Sequence, residues 1–264
     1  MKIRLSIIFI ASAAVLALTS GCASSRHDGS ATGGATELLP ILTSVMTGPV
    51  SMLLTNENAF SSEFMLTFED DAGNLSKASG QMLVRDGNLR LEAVFDTPND
   101  KSIVAGEFGL IWDAASNQGF VFSEDFQGYA PINAAGHYTN LLTRVVNSPS
   151  KQIDGHTVDQ ANMTVMGSDG QTMDFQLLVA KDLHNLPVQI SSRNSPQSFT
   201  LTMAKIRLTM PQAELFLPPD GFTKYESETA MLNEMTTREQ GILGARHKDG
   251  GVNINYKPPG SGQN

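Results

Sequence analysis

From residue 60 onward, apolar and polar residues alternate with a period of two. Phe64, Leu66 and Phe68 fall on one side of the chain, with Met65 and Thr67 on the other, the signature of a half-buried strand. Gly80, Met82 and Val84 repeat the pattern. After Asp86-Gly87, a hairpin signal, Leu89, Leu91, Ala93 and Phe95 alternate with Arg90, Glu92 and Val94. Apolar runs at 103–105, 110–113 and 119–123 predict three more strands, with a turn over 115–118. Strands are expected again at 156–160, 161–166, 173–180, 188–192 and 199–208. The turns between them carry Asp154-Gly155, Asp169-Gly170 and Ser195-Pro196.

Elsewhere the period changes to 3.6. Thr36 can cap a helix whose apolar face is Leu38, Leu39, Ile41, Leu42 and Val45, with Pro40 in its first turn. Gly48-Pro49 breaks that helix, and 50–54 resumes it. The spacing of Tyr138, Leu141, Leu142, Val145 and Val146 predicts a helix over 132–147, stopped by Pro149. Residues 211–216 read as one helical turn and 226–240 as a polar C-terminal helix. Ten or eleven strands with short turns predict a mainly β (α+β) fold built on one large antiparallel sheet. A twisted sheet of that size curls rather than staying flat. No period of 20–50 residues is present, which argues against solenoids and propellers.

The first 21 residues belong to a different pattern. Lys2 and Arg4 precede a dozen apolar residues at 7–18, broken only by Ser12. That run is too short for a span of about 20 residues and fits the core of a secretory signal. It leads through Thr19-Ser20-Gly21 into Cys22, the chain's single cysteine. The segment resembles the lipobox of bacterial lipoproteins, with the leucine at 18, one place earlier than usual. The resemblance implies that Cys22 is acylated and becomes the first mature residue. It also implies, from Ala23 and Ser24 in place of an aspartate, sorting to the outer membrane, facing the periplasm. Two or three acyl chains anchor a protein stably where one does not. The expected organisation is a signal peptide at 1–21, a Gly/Ser-rich tether at 22–35, one domain at 36–243 and a disordered tail at 244–264.

With 41% hydrophobic residues among 264, the chain can bury a sizeable core. One cysteine excludes a disulfide framework. Loss of Lys2 and Arg4 leaves 16 basic against 27 acidic residues, a mature charge of −11. Such an acidic surface, without basic patches, argues against nucleic acid as a partner. The five histidines form no HExxH or i, i+4 pair, and there is no G-x-S-x-G elbow, P-loop or G-x-G-x-x-G. No cofactor or metal is therefore expected, and no enzymatic activity.

A set of fixed points lies between 80 and 113: Gly80, Arg90 within Asn88-Leu89-Arg90-Leu91-Glu92, Pro98, Ser102-Ile103-Val104, and Leu110-Ile111-Trp112-Asp113. Leu186-Pro187-Val188 and Phe216-Leu217-Pro218-Pro219-Asp220-Gly221-Phe222 follow later. Over roughly 55–225 these resemble the periplasmic carrier of outer-membrane lipoproteins and its receptor, the lipoprotein-sorting superfamily. The resemblance implies an unclosed β-barrel whose concave face is covered by helices and holds acyl chains. The candidate lining is Phe64, Leu66, Phe68, Leu89, Leu91, Trp112, Phe120 and Phe122. Eleven methionines after Met1 suit an adaptable lining. Arg90 is the candidate lid contact, although its parity sets it on the face opposite Leu89 and Leu91. The expected partners are the membrane, through the anchor, and a hydrophobic or lipid ligand. Other lipoproteins or envelope proteins complete the set. The alternative is a structural or interaction lipoprotein whose cavity is filled by its own side chains.

Overall fold

A computed structural model describes residues 34–55, 59–69, 75–96, 107–133, 138–145, 150–167, 170, 172–192 and 198–248. The expected signal, lipobox cysteine, tether up to 33, 103–105 strand and tail from 249 onward lie outside them, while 34–35, expected in the tether, open a helix. Among the described residues, thirteen strands form one sheet. The first meander is β1 (Phe60–Glu69), β2 (Leu75–Arg85), β3 (Asn88–Asp96), β4 (Phe108–Asp113), β5 (Gln118–Ser123) and β6 (Gly128–Asn133). The second comprises β7 (Tyr138–Val145), β8 (Lys151–Ile153), β9 (His156–Gly167), β10 (Thr172–Ala180), β11 (Leu186–Ser192) and β12 (Ser198–Arg207). A two-residue strand, β13 (Thr223–Lys224), adds on parallel to β6, so the sheet is mixed.

The strand order is β13-β6-β5-β4-β3-β2-β1-β12-β11-β10-β9-β7, with β8 also on β9. The two meanders therefore join through β1 and β12, in register from Phe64↔Met203 to Glu69↔Ser198. Turn chemistry sets the hairpins. Asp86 and Gly87 both have positive φ, 50° and 83°, as do Asp154 and Gly155, 47° and 83°, the type I′ geometry that suits twisted strands.

Connectivity forces the sheet to curl. β6 and β7 stand ten strand steps apart in the order, about 48 Å across a flat sheet at ~4.8 Å per step. Yet the five peptide steps from Asn133 to Tyr138 reach at most about 17 Å. The two flanks must therefore come round toward each other. No pairing joins them among the described residues, and the barrel stays open.

The expected helix over 132–147 is replaced by β6 and β7. Its apolar spacing fits both periods, and Thr139, Thr143 and Val145 are β-branched. Pairing with β9, through Tyr138↔Gly167 and Leu142↔Thr164, decides in favour of strand. The expected pair of strands at 156–160 and 161–166 is one continuous β9. Three helices complete the fold: α1 (Gly34–Met46), α2 (Pro49–Thr55) and α3 (Glu228–Lys248). The last continues five residues past the expected domain end at 243.

Candidate apolar hollow

Alternation gives the sheet one continuous apolar face. Phe64, Leu66 and Phe68 on β1 meet Phe199, Leu201 and Met203 on β12, all at most 5% exposed. Leu89 and Leu91 on β3 continue it, as does Trp112 on β4; all three have no exposed surface. Met163 and Val165 on β9 and Phe175 and Leu177 on β10 extend the same core across the second meander. Six of the eight expected lining residues (Phe64, Leu66, Phe68, Leu89, Leu91 and Trp112) thus share one surface.

Phe120 and Phe122 do not. The β4–β5 register sets them opposite Ile111 and Gly109, on the outer face, while Val121 opposite Leu110 points inward. The assignment of these two phenylalanines to the lining is therefore corrected. A run as apolar as 119–123 gives no alternation from which to choose a face, and only the hairpin register fixes it. Outside, the Phe120 ring stands edge-on to Tyr129 at 5.8 Å and tilted to Phe122 at 6.3 Å.

Arg90 belongs to this outer cluster, as its parity requires. Its guanidinium lies 5.0 Å over the Phe122 ring and pairs with Glu92 at 2.6 Å. Its Nη1 donates to the Leu215 carbonyl at 2.6 Å. Leu215 lies in a 3-10 turn, Ala213–Phe216. Arg90 therefore holds a covering segment, but one strapped to the outer face rather than over the hollow. Arg85 helps by donating to the Pro211 carbonyl at 2.7 Å.

The hollow itself is occupied by α1 and α2. Leu39, Leu42, Met46, Val50 and Leu54 are at most 1% exposed and belong to the same core as the sheet face. Between 38 and 55, Pro40 and Ser44 are the exposed positions, and even Thr43, Thr47, Ser51 and Thr55 are buried. The Gly48-Pro49 break bends the pair by 52°. Buried hydroxyls close onto the pair's own backbone: Thr47 Oγ1 donates to the Thr43 carbonyl at 2.7 Å and Ser51 Oγ to the Gly48 carbonyl at 2.8 Å. At one flank α3 adds Met231, Leu232 and Met235 to the same core.

Some buried polar atoms lack a partner, including Trp112 Nε1, Thr43 Oγ1, Ser62 Oγ and Ser192 Oγ. Each such group costs roughly 1–3 kcal/mol. An open depression of about 960 Å³ lies at the ends of β1 and β9–β12, where it meets the edge of the apolar face. Its lining mixes Phe68, Met163, Phe175 and Phe199 with polar Thr67, Thr164, Asp174, Gln176, Ser191 and Thr200. Sequence reading missed it, because polar alternate positions on a strand look like any solvated face.

Titratable groups converge little. His156 Nδ1 lies 2.6 Å from an Asp182 carboxylate oxygen, and this hydrogen bond holds the Asp182 carboxyl below its ordinary range. The pair sits on the surface with the aspartate exposed. Among the described residues no three metal-ligating side chains cluster.

No protein-family model matches the chain, nor does any curated protein. Several solved structures resemble it weakly. A LolA superfamily protein from Nitrosomonas europaea aligns at 10% identity and a TM-score of 0.35, over 64% of this chain and 94% of that one. Lipoprotein LppX from Mycobacterium tuberculosis aligns at 13% and 0.35, over 66% and 98%. PNGF-II aligns at 12% and 0.36, over 69% of this chain, which spans about a third (33%) of PNGF-II. Likenesses this low carry no functional argument, and the function is sought in the chain's own geometry.

Proposed function

We propose that this chain is a non-enzymatic envelope lipoprotein, acylated at Cys22 and facing the periplasm from the outer membrane, that binds acyl chains or the lipid moieties of other lipoproteins in its hollow. The observation that carries the reading is the covering of the apolar face. It consists of a helix pair that precedes β1 in the chain, joined to the sheet by packing rather than by strand pairing. Such a cover can leave without unmaking the sheet, and what it uncovers is a continuous hydrocarbon surface. Unpartnered Trp112 Nε1, on the sheet, supplies a donor that an ester or carboxyl oxygen would satisfy.

The test uses the mature chain with Cys22→Ser, which removes the anchor without touching the domain. Saturable displacement of a fluorescent fatty acid is expected. No saturable binding up to the solubility limit of the probe would reject the reading. A second reading has its own support: in this structure the hollow is filled by Leu39, Leu42, Met46 and Leu54, as a purely structural or partner-docking lipoprotein requires. Absence of binding, together with capture of a defined envelope protein by the acidic surface, would favour it.

A further inference from the structure

The segment 38–56 carries no charged residue, and Glu37 and Glu57 flank it. A helix apolar all round is buried in a core or bedded in a membrane, while one with a wet side keeps a charged stripe toward water. In this chain α3 does so, with Glu234 and Arg238 ion-paired at 2.9 Å beside its buried methionines. The α1–α2 pair does not: its exposed positions are Pro40 and Ser44, and Ile41, Met52 and Leu53 are half-buried. By length and composition alone, Leu38–Met46 with Pro49–Thr55 passes for a broken membrane-embedded segment, as buried core helices also do. The bonds that Thr47 and Ser51 return to its own carbonyls travel with it, which lowers the cost of a low-dielectric medium, and Thr43 Oγ1 is the hydroxyl left to find a partner there.

We infer that the α1–α2 pair is a bilayer-seeking element, which beds into the phospholipid leaflet holding the anchor when it leaves the hollow. The inference rests on the proposed acylation of Cys22 and acyl binding, and adds where the displaced helices go. Topology decides how deep. With the anchor before α1 and the sheet after α2 on one side of the membrane, the segment must enter and return. The 52° bend at Gly48-Pro49 suits such a shallow re-entrant wedge and not a span. Fifteen residues separate Cys22 from Leu38, so the wedge starts within about 50 Å of the anchor at full extension. The exchange is balanced: the helices trade one apolar environment for another, and the incoming acyl chain keeps the sheet face dry.

The experiment places the acylated full chain on phosphatidylcholine–phosphatidylglycerol vesicles containing a phospholipid with a diazirine at the acyl terminus. After irradiation, adducts are mapped by mass spectrometry. The informative positions are Pro40 and Ser44, which face water when the pair is seated in the hollow. Adducts there are expected. Ser44→Glu should lower them about tenfold or more, since a carboxylate resists burial in hydrocarbon, while Ser44→Ala should leave them unchanged. Both variants replace an exposed side chain, and equal thermal midpoints in the anchor-free form would exclude misfolding. Adducts on Leu66, Leu91 or Met163 but none at 40–44 would leave acyl binding standing and overturn the wedge. Adducts at 40–44 indifferent to Ser44→Glu would also overturn it, as mere proximity. Adducts at 40–44 that Ser44→Glu removes, with none inside the hollow, would keep the wedge and sink acyl binding. Adducts at neither place would sink both.

Discussion

Replacing Leu42 by alanine separates a hollow that opens from one that is permanently filled. Leu42 is 1% exposed on α1, inside the shared core. Buried Leu→Ala changes cost about 2–5 kcal/mol, the transfer term plus the void left behind; a central value near 3 kcal/mol suits a site whose neighbours are already packed. That loss belongs to the seated state, because in the displaced state Leu42 no longer fills the hollow. A shift of about 3 kcal/mol raises the displaced population roughly 150-fold. The apparent affinity for an acyl chain is the intrinsic one scaled by the competent fraction, so it should tighten by up to the same factor, levelling off once the pair is mostly out. Stability is read from urea unfolding through Trp112, the single tryptophan, which has no exposed surface. Affinity is read by fluorescent fatty-acid displacement on the Cys22→Ser form. Phe122→Ala is the control: it removes a fully buried ring from the outer face and should cost about 3–5 kcal/mol without changing affinity. If Leu42→Ala lowers the unfolding midpoint and leaves the displacement curve where it was, the helices are a fixed core and the exchange argument fails.

Three further outcomes follow from single contacts. Gly80→Ala should destabilise by about 2–3 kcal/mol, because a Cβ there would meet the Glu92 carbonyl oxygen at 1.8 Å and only backbone movement could relieve it; an unchanged denaturation midpoint would contradict this. Arg90→Ala should cost about 2 kcal/mol from its bond to the Leu215 carbonyl and its position over Phe122, and hydrogen exchange at 213–217 should quicken selectively. Glu228→Gln should raise the thermal midpoint at pH 7: burial pushes this carboxyl above its ordinary value of 4.5, and its Oε1 has no partner. A group raised in the folded state binds its proton more tightly there, so stability falls as pH rises from 4.5 through the folded value. The advantage of glutamine should accordingly vanish below pH 4.5, and an advantage that persists there would refute the cause.

Alternation was legible wherever one face is wet. Phe64, Leu66 and Phe68, and Leu89, Leu91, Ala93 and Phe95, read correctly because Met65 and Val94 sit on an exposed face. The Asp86-Gly87 and Asp154-Gly155 turns carried their own geometry. Where both faces are covered the signal disappears. Phe108 to Trp112 are all buried, and the adjoining Phe120 and Phe122 could be assigned a face only through the hairpin. The run at 138–146 misled for another reason: its spacing serves either period, and the partner strand β9 chose. For α1 and α2 the sequence reading found the helices, but not that water would be excluded from nearly their whole circumference. The missing charges at 38–56 held that information, although periodicity alone does not weigh it.

The junction of β1 with β12 has a consequence for how the chain is made. About 130 residues separate Glu69 from its partner Ser198, and at 5–20 residues per second a ribosome takes roughly ten seconds to cover them. Throughout that interval the outer edge of β1 offers unpaired amides to any passing strand. Each meander can zip up from its own hairpins, but their union must wait for nearly the last strand, a late and long-range closure of the kind that slows folding. Until that closure a chain built this way gains from any shield over the β1 edge, and its most damaging mutations would be those that lengthen the wait.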